Sequence, residues 1–122
     1  MSDYWFLCTP FSLYPKGLES AYILACRTRA LLIDAGVLVF SPICHSFGPA
    51  VHGSLDPLSH DIWLSAEAPF RHFAKGAIML MSPGWGESYG MKFEQAEFEA
   101  EGKPIIWMTP GEVPKELLSA AA

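Results

Sequence analysis

Ala77-Ile78-Met79-Leu80-Met81-Ser82-Pro83-Gly84-Trp85-Gly86-Glu87-Ser88-Tyr89-Gly90-Met91-Lys92-Phe93-Glu94 runs from an unbroken apolar segment, through a turn of small residues, into the start of a helix. An apolar run without alternation fits a strand covered on both faces, as in a parallel sheet flanked by helices. Proline and glycine break the strand at Pro83 and Gly84. Ser88 is placed to cap the helix that follows. A strand-turn-helix junction of this kind leaves backbone N–H groups free at the helix start, where a polar or anionic ligand can be held. Glu94, one turn in from Gly90, can face the same cleft.

The same alternation extends in both directions. Tyr4 to Thr9 reads as a strand ended by Pro10, and Glu19 to Ala35 as a helix closed by Gly36. Val37 to Ser41 is the next strand. From Pro42 to His60 the composition turns to Pro, Gly, Ser and His, which predicts a long connection overhanging a site. Asp61 to Lys75 is expected to be helical in two pieces, because Pro69 suits a first turn better than a helix interior. Ser88 to Glu101 is a helix ended at Gly102, Pro104 to Met108 a last strand, and Pro114 to Ser119 a short terminal helix. Ala120 to Ala122 reads as a frayed end. The pattern predicts a single α/β domain with a Rossmann-like or flavodoxin-like parallel sheet of four or five strands. The first strand is central, and helices cover both faces. Ligands in such sheets bind beyond the carboxyl ends of the strands. The segments beginning at Thr9, Ser41 and Pro83 must therefore meet, which brings Ser12, His45 and Ser88 to one edge.

Composition narrows the function classes. The 122 residues fit one domain, and the 51% hydrophobic content against 17% charged gives ample core material and a surplus to bury between subunits. A net charge of −5 speaks against binding nucleic-acid polymers or anionic membranes. The longest greasy stretch, Ala21 to Ile43, is interrupted by Arg27, Arg29 and Asp34 and is no membrane span. Cys8, Cys26 and Cys44 follow no C-x-x-C spacing, so reduced thiols and a cytoplasmic setting are the expectation. The N-terminal sequence lacks the pattern of a signal peptide. His45, His52, His60 and His72 show no tight ligand spacing, so no metal is expected. His45 is the histidine best placed for ligand contact.

Three quoted elements together resemble the nucleoside 2-deoxyribosyltransferase superfamily, including its 2′-deoxynucleoside 5′-monophosphate N-glycosidase branch. They are Phe6-Leu7-Cys8-Thr9-Pro10-Phe11-Ser12, Phe40-Ser41-Pro42-Ile43-Cys44-His45-Ser46, and Pro83-Gly84-Trp85-x-x-Ser88-x-Gly90-x-x-x-Glu94 followed by Gly102-Lys103-Pro104-Ile105. The likeness spans roughly Tyr4 to Trp107 and is nearest to a small uncharacterised bacterial and phage family within that superfamily. It implies cleavage or exchange of an N-glycosidic bond without a cofactor, with Glu94 as nucleophile on the anomeric carbon. Water as acceptor makes a hydrolase, and a second base makes a transferase. Ser88, Tyr89 and Gly90, with Gly84 in the same turn, match the part that contacts the nucleotide, and Phe11 and Ser12 match the opposite edge of the pocket.

The pattern departs from the superfamily in two places. Classical members carry an acidic residue just before the third core strand, where this chain reads His72-Phe73-Ala74-Lys75-Gly76. Asp61 and Glu67 are then the two candidates to protonate the leaving base. The Gly- and Arg-rich phosphate loop is replaced by Leu13-Tyr14-Pro15-Lys16-Gly17, where Lys16 either neutralises a phosphate or is a solvated surface charge.

Helical spacing by itself gives a blander reading. Phe93, Ala96 and Ala100 form the core stripe, leaving Glu94, Glu97 and Glu101 on a solvated face. The resemblance reverses this for Glu94 alone. Trp85 is expected to pack beneath the turn. Trp5, Trp63, Phe70 and Phe73 are candidates for the buried patch of a homodimer or homotetramer. Two other classes stand beside the enzyme: a nucleotide-binding module of the same fold without catalysis, and an interaction subunit with no small ligand. A buried Glu94 opposite a second carboxylate favours the enzyme, and an exposed Glu94 on a flat surface favours the interaction subunit.

Overall fold

The computed structural model describes residues 3–119, and the expected fraying of Ala120 to Ala122 lies outside them. Four strands form one all-parallel sheet in the order β2-β1-β3-β4: β1 (Trp5–Cys8), β2 (Val39–Phe40), β3 (Gly76–Leu80) and β4 (Ile105–Met108). β1 is an inner strand, with Trp5 opposite Val39 on one side and Gly76 on the other. The chain moves outward from β1 to β2 and returns across β1 to β3. The sheet thus reverses order between its two inner strands, and this is where an open α/β sheet leaves a crevice.

Both inner strands are buried at every position, which explains why their sequences do not alternate. Their side chains still alternate between two cores. Trp5, Leu7, Ile78 and Leu80 face Leu32 of helix α1 (Leu18–Asp34) and Leu117 of α5 (Lys115–Ser119). Phe6, Cys8, Ala77 and Met79 face Met91 and Phe98 of α4 (Tyr89–Ala100). α1 stops where Gly36, at φ +84°, takes the left-handed conformation that lets its N–H reach the Ile33 carbonyl at 2.9 Å.

Two expectations about helices need correction. The Pro42–His60 stretch is mostly not a loop, because α2 occupies Pro42–His52. The Ser41 hydroxyl accepts from the Cys44 N–H at 3.2 Å, and Pro42 occupies the first turn, where its missing N–H costs nothing. A serine-proline start signal therefore outweighs a loop-like composition. Second, α3 is one helix, His60–Phe73, with Pro69 inside it. Ser65, whose carbonyl loses its usual donor there, lies on the exposed side, while buried Glu67 and Arg71 pin the helix on either side of the proline. The second strand is also shorter than expected, with only Val39 and Phe40 pairing.

The helix dictated by Ser88 forms as read: its hydroxyl accepts from the Met91 N–H at 3.3 Å. The turn before it contains a 3₁₀ segment, Trp85–Glu87, preceded by Gly84 at φ +89°. A Cβ on Gly84 would lie 3.1 Å from the Leu13 carbonyl oxygen, so the close approach of the β1 and β3 loops also calls for glycine. Trp85 meets Trp107 edge-on at 5.5 Å between ring centroids. Of the aromatics assigned to an oligomer surface, Trp5 belongs to the core at 8% exposure, whereas Phe73 is exposed.

Candidate active site

A cleft of about 610 Å³, counting the solvent space at its open mouth, lies at the carboxyl ends of β1 and β3. The loop after β1 contributes Thr9, Phe11 and Ser12, and the first turns of α2 contribute Pro42, Ile43 and Ser46. Pro57 and Leu58 close one side from the connection between α2 and α3. That connection is held by the Asp56 carboxylate, which accepts from the Leu58 N–H at 2.9 Å. The Asp56 carbonyl accepts from Trp63 Nε1 at 2.8 Å. The overhang expected of the Pro42–His60 stretch is thus supplied by its last few residues.

Two helices complete the cavity. α3 presents His60, Trp63, Leu64 and Glu67 at spacings of three and four residues, a single helix face. The start of α4 presents Ser88, Gly90 and Glu94. Glu94 and Glu67 are 7% and 4% exposed, so two carboxyl groups share one largely dry space. Burial, joined by the charge of Glu67, lifts Glu94 to about 8, with a hydrogen bond from Cys8 and the Arg71 charge pulling the other way. Burial likewise lifts Glu67 to about 8, against the pull of Arg71. The Cys8 thiol beneath them is raised well above its ordinary value by burial and by Glu94.

Arg71 ties this layer together. It is 4% exposed; its Nε donates to Glu97 Oε2 at 2.7 Å and its Nη2 to the Leu64 carbonyl at 2.9 Å. The guanidinium carbon sits 5.2 Å from the centre of the Phe93 ring. Its Nη1 has no hydrogen-bond partner among the described residues, and neither do Glu67 Oε2 or Thr9 Oγ1. Unpaired buried polar atoms in a native fold call for an explanation, and for Thr9 and Glu67, which line the cavity, a ligand supplies one.

The structure brings together Glu94, Glu67, Phe11, Ser12, Ser88 and Gly90 and leaves five other expected residues aside. Asp61 is exposed and outside the lining, because it sits on the far side of the α3 face that carries Glu67. Lys16 is exposed on the way into α1, also away from the cavity. His45 turns from its neighbours Ile43 and Ser46 to lie against the stacked Phe40–Phe70 pair, 5.4 Å from each ring centroid, so it does not join Ser12 and Ser88. Tyr89 stacks on His60 at 4.3 Å on the outer side, and Gly84 shapes the turn without lining the site.

The periodicity reading of α4 is overturned as well. Its buried residues are Met91, Glu94 and Phe98, while Ala96 and Ala100 are exposed. Thr9, Pro42, Ile43, Ser46, Pro57, Leu58, His60, Trp63 and Leu64 were not singled out as ligand contacts from the sequence. The His60–Trp63–Leu64–Glu67 spacing was the available signal.

Residues 4–110 match the family described as a domain of unknown function, DUF1937, and the chain belongs to that family. No curated protein matches it. No helix among the described residues is long and apolar enough to cross a membrane.

Proposed function

We propose that this DUF1937 member cleaves or exchanges the N-glycosidic bond of a nucleoside, with Glu94 as nucleophile and Glu67 as the acid that protonates the leaving base. One observation carries the reading: two buried carboxyls face one cavity, with raised proton affinity. The sequence resemblance assigns Glu94 the nucleophile's role, and the cavity favours Glu67 over Asp61 as its partner.

Holding two like charges in a dry site is costly, so both carboxyls stay largely protonated at neutral pH, and the reactive form is the pair that has lost one proton as pH rises toward 8. The hydrogen bond from Cys8 favours charge on Glu94. The unpaired Oε2 of Glu67 gives that side chain no such help, which leaves Glu67 the proton. In the first half-reaction a Glu94 oxygen bonds to C1′ as the C1′–N bond breaks. The departing electron pair goes to the base nitrogen, which takes the Glu67 proton. In the second, ionised Glu67 withdraws a proton from water or an incoming base as that acceptor attacks C1′ and releases Glu94. Trp63 and Phe11 offer apolar surface to the base, and Ser12, Ser88 and the Gly90 backbone offer polar contacts to the sugar.

No lysine or arginine lines the cavity among the described residues, which favours nucleosides over their 5′-monophosphates. Incubation with a panel of both, followed by chromatography for free base, tests the reading. Absence of release from every member, with binding retained, moves the protein to the non-catalytic class. The groove of Tyr4, Leu38, Val39, Phe40 and Phe70 beside the short edge strand β2 fits a symmetric homo-oligomer contact. Light scattering at micromolar concentration is expected to give a multiple of the chain mass, and a monomer mass refutes it.

A further inference from the structure

Cys26 and Cys44 stand apart from the carboxylate site, and nothing in the proposed chemistry uses them. One lies on α1 and the other in the first turn of α2, yet their sulfurs are 3.5 Å apart. Both side chains are half-buried, whereas Cys8 is fully buried. Tyr22, one turn before Cys26, stacks on Phe47 of α2 at 4.6 Å. Phe47 in turn meets Phe11 edge-on at 5.9 Å, and Phe11 lines the cavity. Cys44 itself lies between Ile43 and Ser46, two further lining residues.

We propose that Cys26 and Cys44 form a reversible disulfide that locks α1 to α2 and fixes the α2 wall of the cavity. A disulfide needs its sulfurs about 2 Å apart, so closure asks for a shift of little more than an ångström across the helix seam. With hydrogen peroxide as oxidant, one thiolate attacks a peroxide oxygen, the O–O bond breaks, and a sulfenic acid and hydroxide form. The second thiol then attacks the sulfenic sulfur and displaces water. Two thiols lose two electrons and two protons, and one peroxide is reduced to two waters. Burial keeps Cys44 above its ordinary thiol value, against the opposing pull of Ser41 and Arg29, so the bond forms slowly at neutral pH and faster as pH rises.

The full chain is treated with hydrogen peroxide, its remaining thiols are alkylated, and peptides are mapped by mass spectrometry. The expected product is a single Cys26–Cys44 cross-link, lighter by two hydrogens, with Cys8 alkylated only after denaturation. Dithiothreitol restores three free thiols. The cross-linked protein melts roughly 10 °C higher, from the loop closed in the unfolded chain. Hydrogen exchange slows in α2 and not in α4. Cys26→Ser and Cys44→Ser each abolish the cross-link and the rise in melting temperature. Sulfinic acid without a cross-link, a disulfide only between chains, or a cross-link that lowers the melting temperature overturns the proposal. None of these readouts depends on nucleoside turnover.

Discussion

Glu67 of α3 and Glu94 of α4 face each other across one cavity, and the charge of Glu67 adds to burial in holding the Glu94 carboxyl near pH 8. Neither helix alone would do this. The pair exists because α3 crosses to the side of the sheet covered by α4, and Arg71 holds the two helices together through Glu97.

Replacing Glu94 with Gln keeps its shape and removes the attacking anion. Base release is expected to fall roughly a thousandfold or more, about 4 kcal/mol of barrier, while the far-ultraviolet spectrum is preserved. An unchanged rate on any substrate that the native protein cleaves refutes the mechanism.

Glu67→Gln and Asp61→Asn separate the two candidates for the acid. Loss of Glu67 is expected to slow turnover by about 10²- to 10⁴-fold, most on substrates with poor leaving bases. Loss of exposed Asp61 leaves the rate unchanged. The reverse ranking in single-turnover assays transfers the role to Asp61.

The raised carboxyls make stability depend on pH with a definite sign. Between the ordinary value of 4.5 and about 8, the folded chain keeps protons that the unfolded chain has released. Stability is therefore full below about pH 4.5 as far as these groups are concerned, and it is lost as pH rises through 8. The slope reaches up to about 1.4 kcal/mol per pH unit for a group that is titrating. Urea denaturation at pH 5, 6.5 and 8 measures it, and Glu94→Gln is expected to flatten the decline and to be more stable than the native protein at pH 8.

Arg71 offers a complementary test, since removing it leaves Glu97 unpaired and deprives Glu67 and Glu94 of their nearest stabilising charge. Because Glu97 is 40% exposed and water takes up part of the loss, Arg71→Ala is expected to cost about 1–3 kcal/mol in urea denaturation. A loss below 1 kcal/mol would mean that the guanidinium is not buried as described.

The parallel sheet was legible because β1 and β3 carry apolar residues at every position, which only a doubly covered strand requires. Less legible was anything that depended on what packs against a surface. Val37 and Leu38 continue an apolar run and so read as strand, but β2 is an edge and pairs only at Val39 and Phe40. Glu94 looked solvated because Ala96 and Ala100 mimic a core stripe, while the true stripe is completed by the glutamate itself. Trp63 read as an interface aromatic because a single sequence does not distinguish a helix face turned to a cavity from one turned to a partner. Glu67 was nameable only as one of two candidates, and the choice against Asp61 rests on the rotation of α3 about its own axis.

Lys103 gives the two carboxylate helices an uneven mechanical character. Its ammonium group donates to the Arg71 carbonyl at 3.2 Å and to the His72 carbonyl at the end of α3, and it pairs at 2.8 Å with Glu101 at the end of α4. The helices are thus pegged in their last turns, by Lys103 and by the Arg71–Glu97 pair, with their amino ends bordering the cavity mouth. Such a pair opens like tweezers: a bulkier guest spreads the tips, and the resistance it meets is set at the pivot. Size selection by this cavity is then elastic, and it can be tuned by a lysine that no guest ever touches.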